Sequence, residues 1–129
     1  MKLSDIQPES DLKQLLLSGG ITEQIYARGE RPSSSLPKEF IDIALNGSIN
    51  RQTTDRGIYR CIVSLTINVA LKANDSINTT RESILFKKVE DIIEGSGRFF
   101  TTPNNTVFYG KSITAGYSST VINIGYNIY

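Results

Sequence analysis

Residues 57–72 read GIYRCIVSLTINVALK, and their pattern decides the architecture. Tyr59, Cys61, Val63, Leu65, Ile67, Val69 and Leu71 take every second position, while Arg60, Ser64, Thr66, Asn68 and Lys72 fill most of the gaps. Such period-2 alternation marks a β-strand with one dry face and one wet face. At about 3.3 Å per residue the stretch would span roughly 50 Å. A compact chain of this length has a radius of gyration of about 14 Å, which makes it only about 36 Å across. A one-residue bulge would throw later apolar residues onto the wet face, so the alternation predicts one strand over most of 58–71. Its antiparallel partner is expected around 40–49. Part of this hairpin should run past its own core and need another surface to keep it dry.

Working outward, Phe40 to Asn46 reads as the partner strand, with Ile41, Ile43 and Leu45 on one face. The polar run NGSINRQTTDRG joins the two as a hairpin with extended arms. A first helix is expected at about 9–17, with Pro8 at its entry and Gly19-Gly20 at its stop. A short strand, ITEQIYA, follows at 21–27, and then the loop GERPSSSLPK. Thr79 and Glu82 have capping-box spacing ahead of a second helix at about 80–94. Leu85, Phe86, Val89, Ile92 and Ile93 share the arc that should lie on the sheet, and Ile84 falls outside it. Strands at roughly 98–109 and 112–129 complete the order α-β-β-β-α-β-β. The fold class is α+β in a single domain, 1–129, with a mostly antiparallel sheet packed by two helices.

Composition narrows the chemistry. The 129 residues contain 14 basic and 13 acidic side chains, so no global field draws in nucleic acid or an anionic membrane. Histidine is absent and Cys61 is the single cysteine, which removes histidine-dependent triads, the usual zinc sites and any internal disulfide framework. No metal or cofactor is expected. The opening MKLSDIQPESDLKQLLLSGG is too polar for a signal peptide, and its LLL run is too short to span a bilayer. The sequons at Asn46, Asn74, Asn78 and Asn104 are then chance products of an Asn/Ser/Thr-rich chain.

The remaining motifs read structurally. Gly95-Ser96-Gly97 closes a helix instead of opening one, so it is a C-cap and not a phosphate loop. Cys61 lies on the apolar face with no histidine to activate it. Glu90, Asp91 and Glu94 make a solvated face with Lys87. Tyr109, Tyr117, Tyr126 and Tyr129 lack the basic interleaving of a single-strand platform. Arg51, Arg56 and Arg60 form the one notable basic cluster, on and beside the hairpin tip. Ile49 and Ile58 on the arm, and off-arc Ile84 on the second helix, are the other candidate contact residues. Without catalytic residues, the chain reads as a self-assembling structural subunit and not an enzyme. Head-to-tail repetition of one contact closes into a ring when the rotation permits.

The leading DLKQLLLSG, the run ITEQIYARGERP into EFIDIALN, the hairpin arm RCIVSLTINVALK, the helix RESILFKKVEDII and the terminal STVINIGYNIY together resemble a known layout. They are similar to the tail-terminator (tail-completion) and neck proteins of tailed bacteriophages, over nearly the full chain. The resemblance implies a homo-oligomeric ring, commonly hexameric in that family, that caps the tail tube and joins it to the head. Its partners would be tail-tube and neck (connector) proteins, and its place the virion after assembly in the host cytoplasm. No catalytic, metal or cofactor residues carry over, and no membrane is involved. Two alternatives stand beside it: a nucleic-acid-binding module using Arg51, Arg56 and Arg60, and a different self-assembling structural protein.

Overall fold

The computed structural model describes residues 6–52, 58–100, 107–111 and 116–128, with side chains for 6–49, 60–100 and 116–127. Its elements are α1 (Pro8–Ser18), β1 (Gln24–Tyr26), β2 (Glu39–Gln52), β3 (Ile58–Ala70), α2 (Thr79–Glu94), β4 (Phe99–Phe100), β5 (Val107–Lys111) and β6 (Tyr117–Ile128). The sheet order is β1-β2-β3-β6-β4, with β5 also on β6. Among the described residues only β1 and β2 run parallel; the other pairings are antiparallel. This is the expected α+β fold class.

The alternating stretch forms one strand with no irregularity of its own. β3 pairs with β2 from Val69 opposite Glu39 to Ile58 opposite Gln52, and with β6 from Ala70 opposite Tyr117 to Tyr59 opposite Ile128. The ladder's irregularity lies in β2. Asn46 faces Ile62 but Asn50 faces Arg60, so Gly47, Ser48 and Ile49 stand where β3 has only Cys61. Gly47 has φ +90°, a left-handed conformation that a side chain would resist. Two extra residues keep the side-chain parity, so Ile49 returns to the face of Ile41, Ile43 and Leu45. It packs, partly buried, against the core.

The chain's own helices therefore cover the strand's apolar stripe. Cys61, Val63, Leu65, Ile67 and Val69 are buried beneath α1 and α2 together with Ile122, Ile124 and Tyr126 of β6. From α1 come Leu12 and Leu16, and from α2 Leu85, Val89 and Ile93, with Phe86 and Ile92 partly buried beside them. The helices meet closely at Gly19, where an added Cβ would lie 2.6 Å from Ile92 Cγ1. The expected overhang shortens accordingly. Ile49, placed on the free arm by its sequence position, belongs at least in part to the core, and β6 accompanies the hairpin as far as Ile128.

Two further expectations change. The cap of α2 is Asn78, whose side chain accepts from the Arg81 N–H at 3.3 Å, not Thr79. Glu82, freed from a capping box, is buried and accepts from Ser118 Oγ at 2.6 Å. The strand expected at 98–109 occurs as β4 and β5, both on β6. Residues 101–106 between them, and 112–115 and Tyr129 of the last expected strand, lie outside the described residues.

On the helix side the Thr120 hydroxyl is fully enclosed and, among the described residues, makes no hydrogen bond. A lone buried hydroxyl costs about 1–3 kcal/mol of desolvation, whereas an isosteric methyl costs nothing of that kind. Thr120→Val is expected to raise the melting temperature by about 3–5 °C for a domain of this size. An unchanged or lower value in thermal denaturation would show that the hydroxyl is satisfied in solution.

Candidate interaction surface

The sheet's second face carries the even positions of β2 and β3 and the odd positions of β6, and it divides into a covered half and an open half. In the covered half, the Tyr117 hydroxyl donates to the Pro37 carbonyl at 2.7 Å, tying the Pro- and Ser-rich loop to the sheet. Phe40 is fully buried, with Tyr26 and Tyr117 edge-on at 5.8 and 5.2 Å and the Arg31 guanidinium 5.0 Å from its centroid. Beside it, Asn68 donates to Asp42 at 3.1 Å and accepts from Ser119 Oγ at 2.8 Å. Burial raises the Asp42 carboxyl above its ordinary pKa, against the opposing pull of Arg31 and Asn68.

The open half lies toward the hairpin tip. Asn123 accepts from Ser64 Oγ at 2.8 Å and from Asn46 Nδ2 at 3.4 Å, a polar rung across three strands. On the next rung Ile62 faces Gly125, and Phe100 pairs with Gly125 from the other side. The Phe100 ring lies over that glycine, where an added Cβ would come within 2.5 Å of Cζ. Arg60 places its guanidinium 5.7 Å from the Phe100 centroid and donates through Nε to Asn127 at 3.0 Å. Ile62 is 44% exposed in the middle of this surface. An exposed aliphatic side chain, a half-buried aromatic ring and an arginine in one place match the composition of interface hot spots.

The residues singled out from sequence are not brought together. Ile84 is 40% exposed, but on α2, in the opposite layer from Ile62. Arg51 and Ile58 belong to the β2–β3 ladder, paired with Tyr59 and Gln52, and their side chains lie outside the described residues, as does all of Arg56. Arg60 is described, on the open half. Ile62 and Phe100 were missed. Ile62 was detectable as an aliphatic residue between Arg60 and the polar even positions Ser64, Thr66 and Asn68; Phe100 could be placed only once Gly125 was known to face it.

Burial, and secondarily the Glu9 charge, pushes the Cys61 thiol up to about 11, so it is no poised nucleophile at neutral pH. Gly95 caps α2, and Ser96 Oγ donates to the Ile93 carbonyl at 2.8 Å while accepting from the Phe99 N–H at 3.0 Å. Glu90, Asp91 and Glu94 are exposed. Among the described residues no group of three or more His, Cys, Asp or Glu side chains is placed to hold a metal, and no helix is long and apolar enough to cross a membrane.

No family model and no curated protein matches the sequence. Among solved structures, one chain whose name records no activity superposes with TM-score 0.52 at 12% identity, over 95% of this chain and 97% of its own. The likeness establishes a shared fold over the whole domain.

Proposed function

We propose that this chain is a non-catalytic, self-assembling structural subunit, and specifically a ring-forming tail-terminator or neck component that caps a phage tail tube and joins it to the head. The observation that supports it is the β2–β3 hairpin. Its ladder runs on through Gln52 opposite Ile58, past Ile49 and Cys61, the last core residues among those whose side chains are described. Beyond that pair come residues 53–57, with Arg56 among them. Exposed aliphatic residues in opposite layers, Ile62 and Ile84, suit a head-to-tail contact between two different surfaces, the kind that closes into rings.

Purified protein is expected to form closed rings without nucleic acid, visible by light scattering and negative-stain microscopy. Arg51→Glu combined with Arg56→Glu should weaken assembly while shifting monomer stability by no more than about 0.5 kcal/mol. A wild-type protein that stays monomeric at high concentration and on tail tubes would overturn the proposal, and unchanged assembly of the double variant would remove the tip from the interface. A second reading, single-stranded nucleic-acid binding on the open half, is favoured by the Arg60–Phe100 contact. Its mark would be affinity that falls steeply with salt.

A further inference from the structure

The sequence holds a single Asn-Gly step, Asn46-Gly47, and the fold puts it at the irregularity of β2. Asn46 is the last residue in register before the ladder lapses, and Gly47, Ser48 and Ile49 stand where β3 has only Cys61. Both Asn46 and Gly47 are exposed. Gly47 has φ +90°, and a Cβ built on it would meet nothing within 4 Å. Among the described residues no strand lies outside β2 beyond Asp42, so the step is paired on one side at most.

This placement suits an intrachain reaction. The electrophile is the Asn46 side-chain carbon Cγ, and the nucleophile is the main-chain nitrogen of Gly47. Their bond closes a cyclic imide; the Cγ–Nδ2 bond breaks, and ammonia leaves with the Gly47 amide proton. Water then opens the ring at either carbonyl, giving aspartate or its β-linked isomer, and nothing is oxidised or reduced. Ring closure needs the peptide unit after Asn46 to turn. Pairing on both sides resists that turn, whereas a lapse in the ladder and a glycine without Cβ ease it.

Other described asparagines are held differently. Asn68 is buried in β3, between β2 and β6, and bonds both Asp42 and Ser119. Asn123 sits in β6, opposite Ser64, whose hydroxyl donates to it at 2.8 Å. Each precedes a β-branched residue, Val69 or Ile124, which crowds the attacking nitrogen. Asn78 is fixed as the cap of α2 by the Arg81 N–H.

We propose that Asn46-Gly47 is a self-modifying site, which deamidates without an enzyme to aspartate and isoaspartate and so places a carboxylate on the open half of the sheet. The proposal is independent of the assembly reading. Asn46 Nδ2 donates to Asn123 Oδ1 at 3.4 Å, and aspartate has no such donor. Oxygen then faces oxygen in the polar rung until Asn123 turns its amide over. Asn46 pairs with Ile62, and Arg60 lies two residues along β3, at a diagonal reach of about 7–8 Å. Among the described side chains of that half Arg60 supplies the positive charge, which the new carboxylate offsets. The β-linked isomer also routes the main chain through the former side-chain carbon, lengthening β2 just before Gly47.

The test is peptide mapping by mass spectrometry on the folded protein, sampled over time in warm, mildly alkaline buffer. The tryptic peptide 39–51 should gain the mass of an NH2-to-OH exchange at Asn46. It should do so at least about tenfold faster than any other asparagine reacts, a barrier difference of about 1.4 kcal/mol. Fragmentation of the backbone N–Cα bonds should find both aspartate and isoaspartate there. The folded protein should react at no less than about one tenth of its rate in urea. Asn46→Gln, whose longer side chain closes a larger ring reluctantly, should melt like the wild type and form no acidic product over the same period. Asn46→Asp marks where the aspartate product elutes on ion exchange. A smaller lead over the other asparagines overturns the proposal. So does stronger protection by folding, because the ladder then holds this step as it holds Asn68. Acidic product forming in Asn46→Gln at the wild-type rate overturns it as well.

Discussion

Raising the pH from 9 to 12 is expected to remove about 5 kcal/mol from the folded state, through two buried neutral acids. Burial lifts the Cys61 thiol from 9.0 to about 11. Burial, and then the hydrogen bond and charge of Asp11, lift the Tyr126 hydroxyl from 10.0 to about 12. Its O–H donates to Asp11 Oδ2 at 2.5 Å, a bond that its ionised form cannot make. Both groups hold their protons more tightly folded than unfolded. Their contribution is thus complete below the unfolded values and disappears as pH rises through the folded ones, over 9 to 11 for Cys61 and 10 to 12 for Tyr126. Each shift of two units corresponds to about 2–3 kcal/mol. Denaturant melts at steps from pH 8 to 12 measure the slope. Tyr126→Phe combined with Cys61→Ala should start less stable and lose much less across the window. A slope equal to the wild type's in that variant would show that neither group carries it.

Tyr126 also shows where sequence reading stops. The strand holding it was legible, because TVINIGYNIY alternates; its pairing with the long strand was not, because alternation sets a strand's faces and names no neighbour. Nor were the partners of Tyr126. Phe99 stacks on it at 4.2 Å and Asp11 accepts from it across 115 positions of chain, contacts that exist only once the helices lie on the sheet. The same division runs through the fold. Uninterrupted alternation from Tyr59 to Leu71 specified β3 and the face it turns to the core, and the polar run joining it to Phe40–Asn46 as a hairpin specified its pairing with β2. The run NGSIN reads as the start of a turn, and hides a strand that continues by absorbing two extra residues at Gly47. Pro103 stood as a warning inside the strand expected at 98–109, since proline cannot donate to a ladder. Phe40, apolar at an even position, signalled that something covers the second face; the loop that does so was read only as a connection.

The largest contrast is expected between two substitutions on the same strand. Leu65 is fully buried at the middle of β3, between Ile43 and Ile122 in the ladder and under both helices. Leu65→Ala leaves a cavity that the surrounding β-branched side chains cannot close, and should cost about 2–5 kcal/mol of folding stability. Against the 5–15 kcal/mol typical of a small domain, that is a large share, and the melting temperature should fall sharply. Any loss of assembly in this variant would follow from unfolding. Ile58 opens the same strand, opposite Gln52 at the far end of the hairpin from Leu65 and beyond the last described core residue, Cys61. Under the assembly reading the end of the arm is kept dry by a neighbouring subunit. Ile58→Asp would then bury an unpaired charge in that contact, costing several kcal/mol of association and much less of monomer stability. Light scattering and thermal melts on the two variants separate the cases. If Ile58→Asp melts like Leu65→Ala, Ile58 belongs to the domain's own core and the arm carries no interface there. If it assembles and melts like the wild type, the position is simply solvent-facing, and the contact must lie elsewhere on the hairpin.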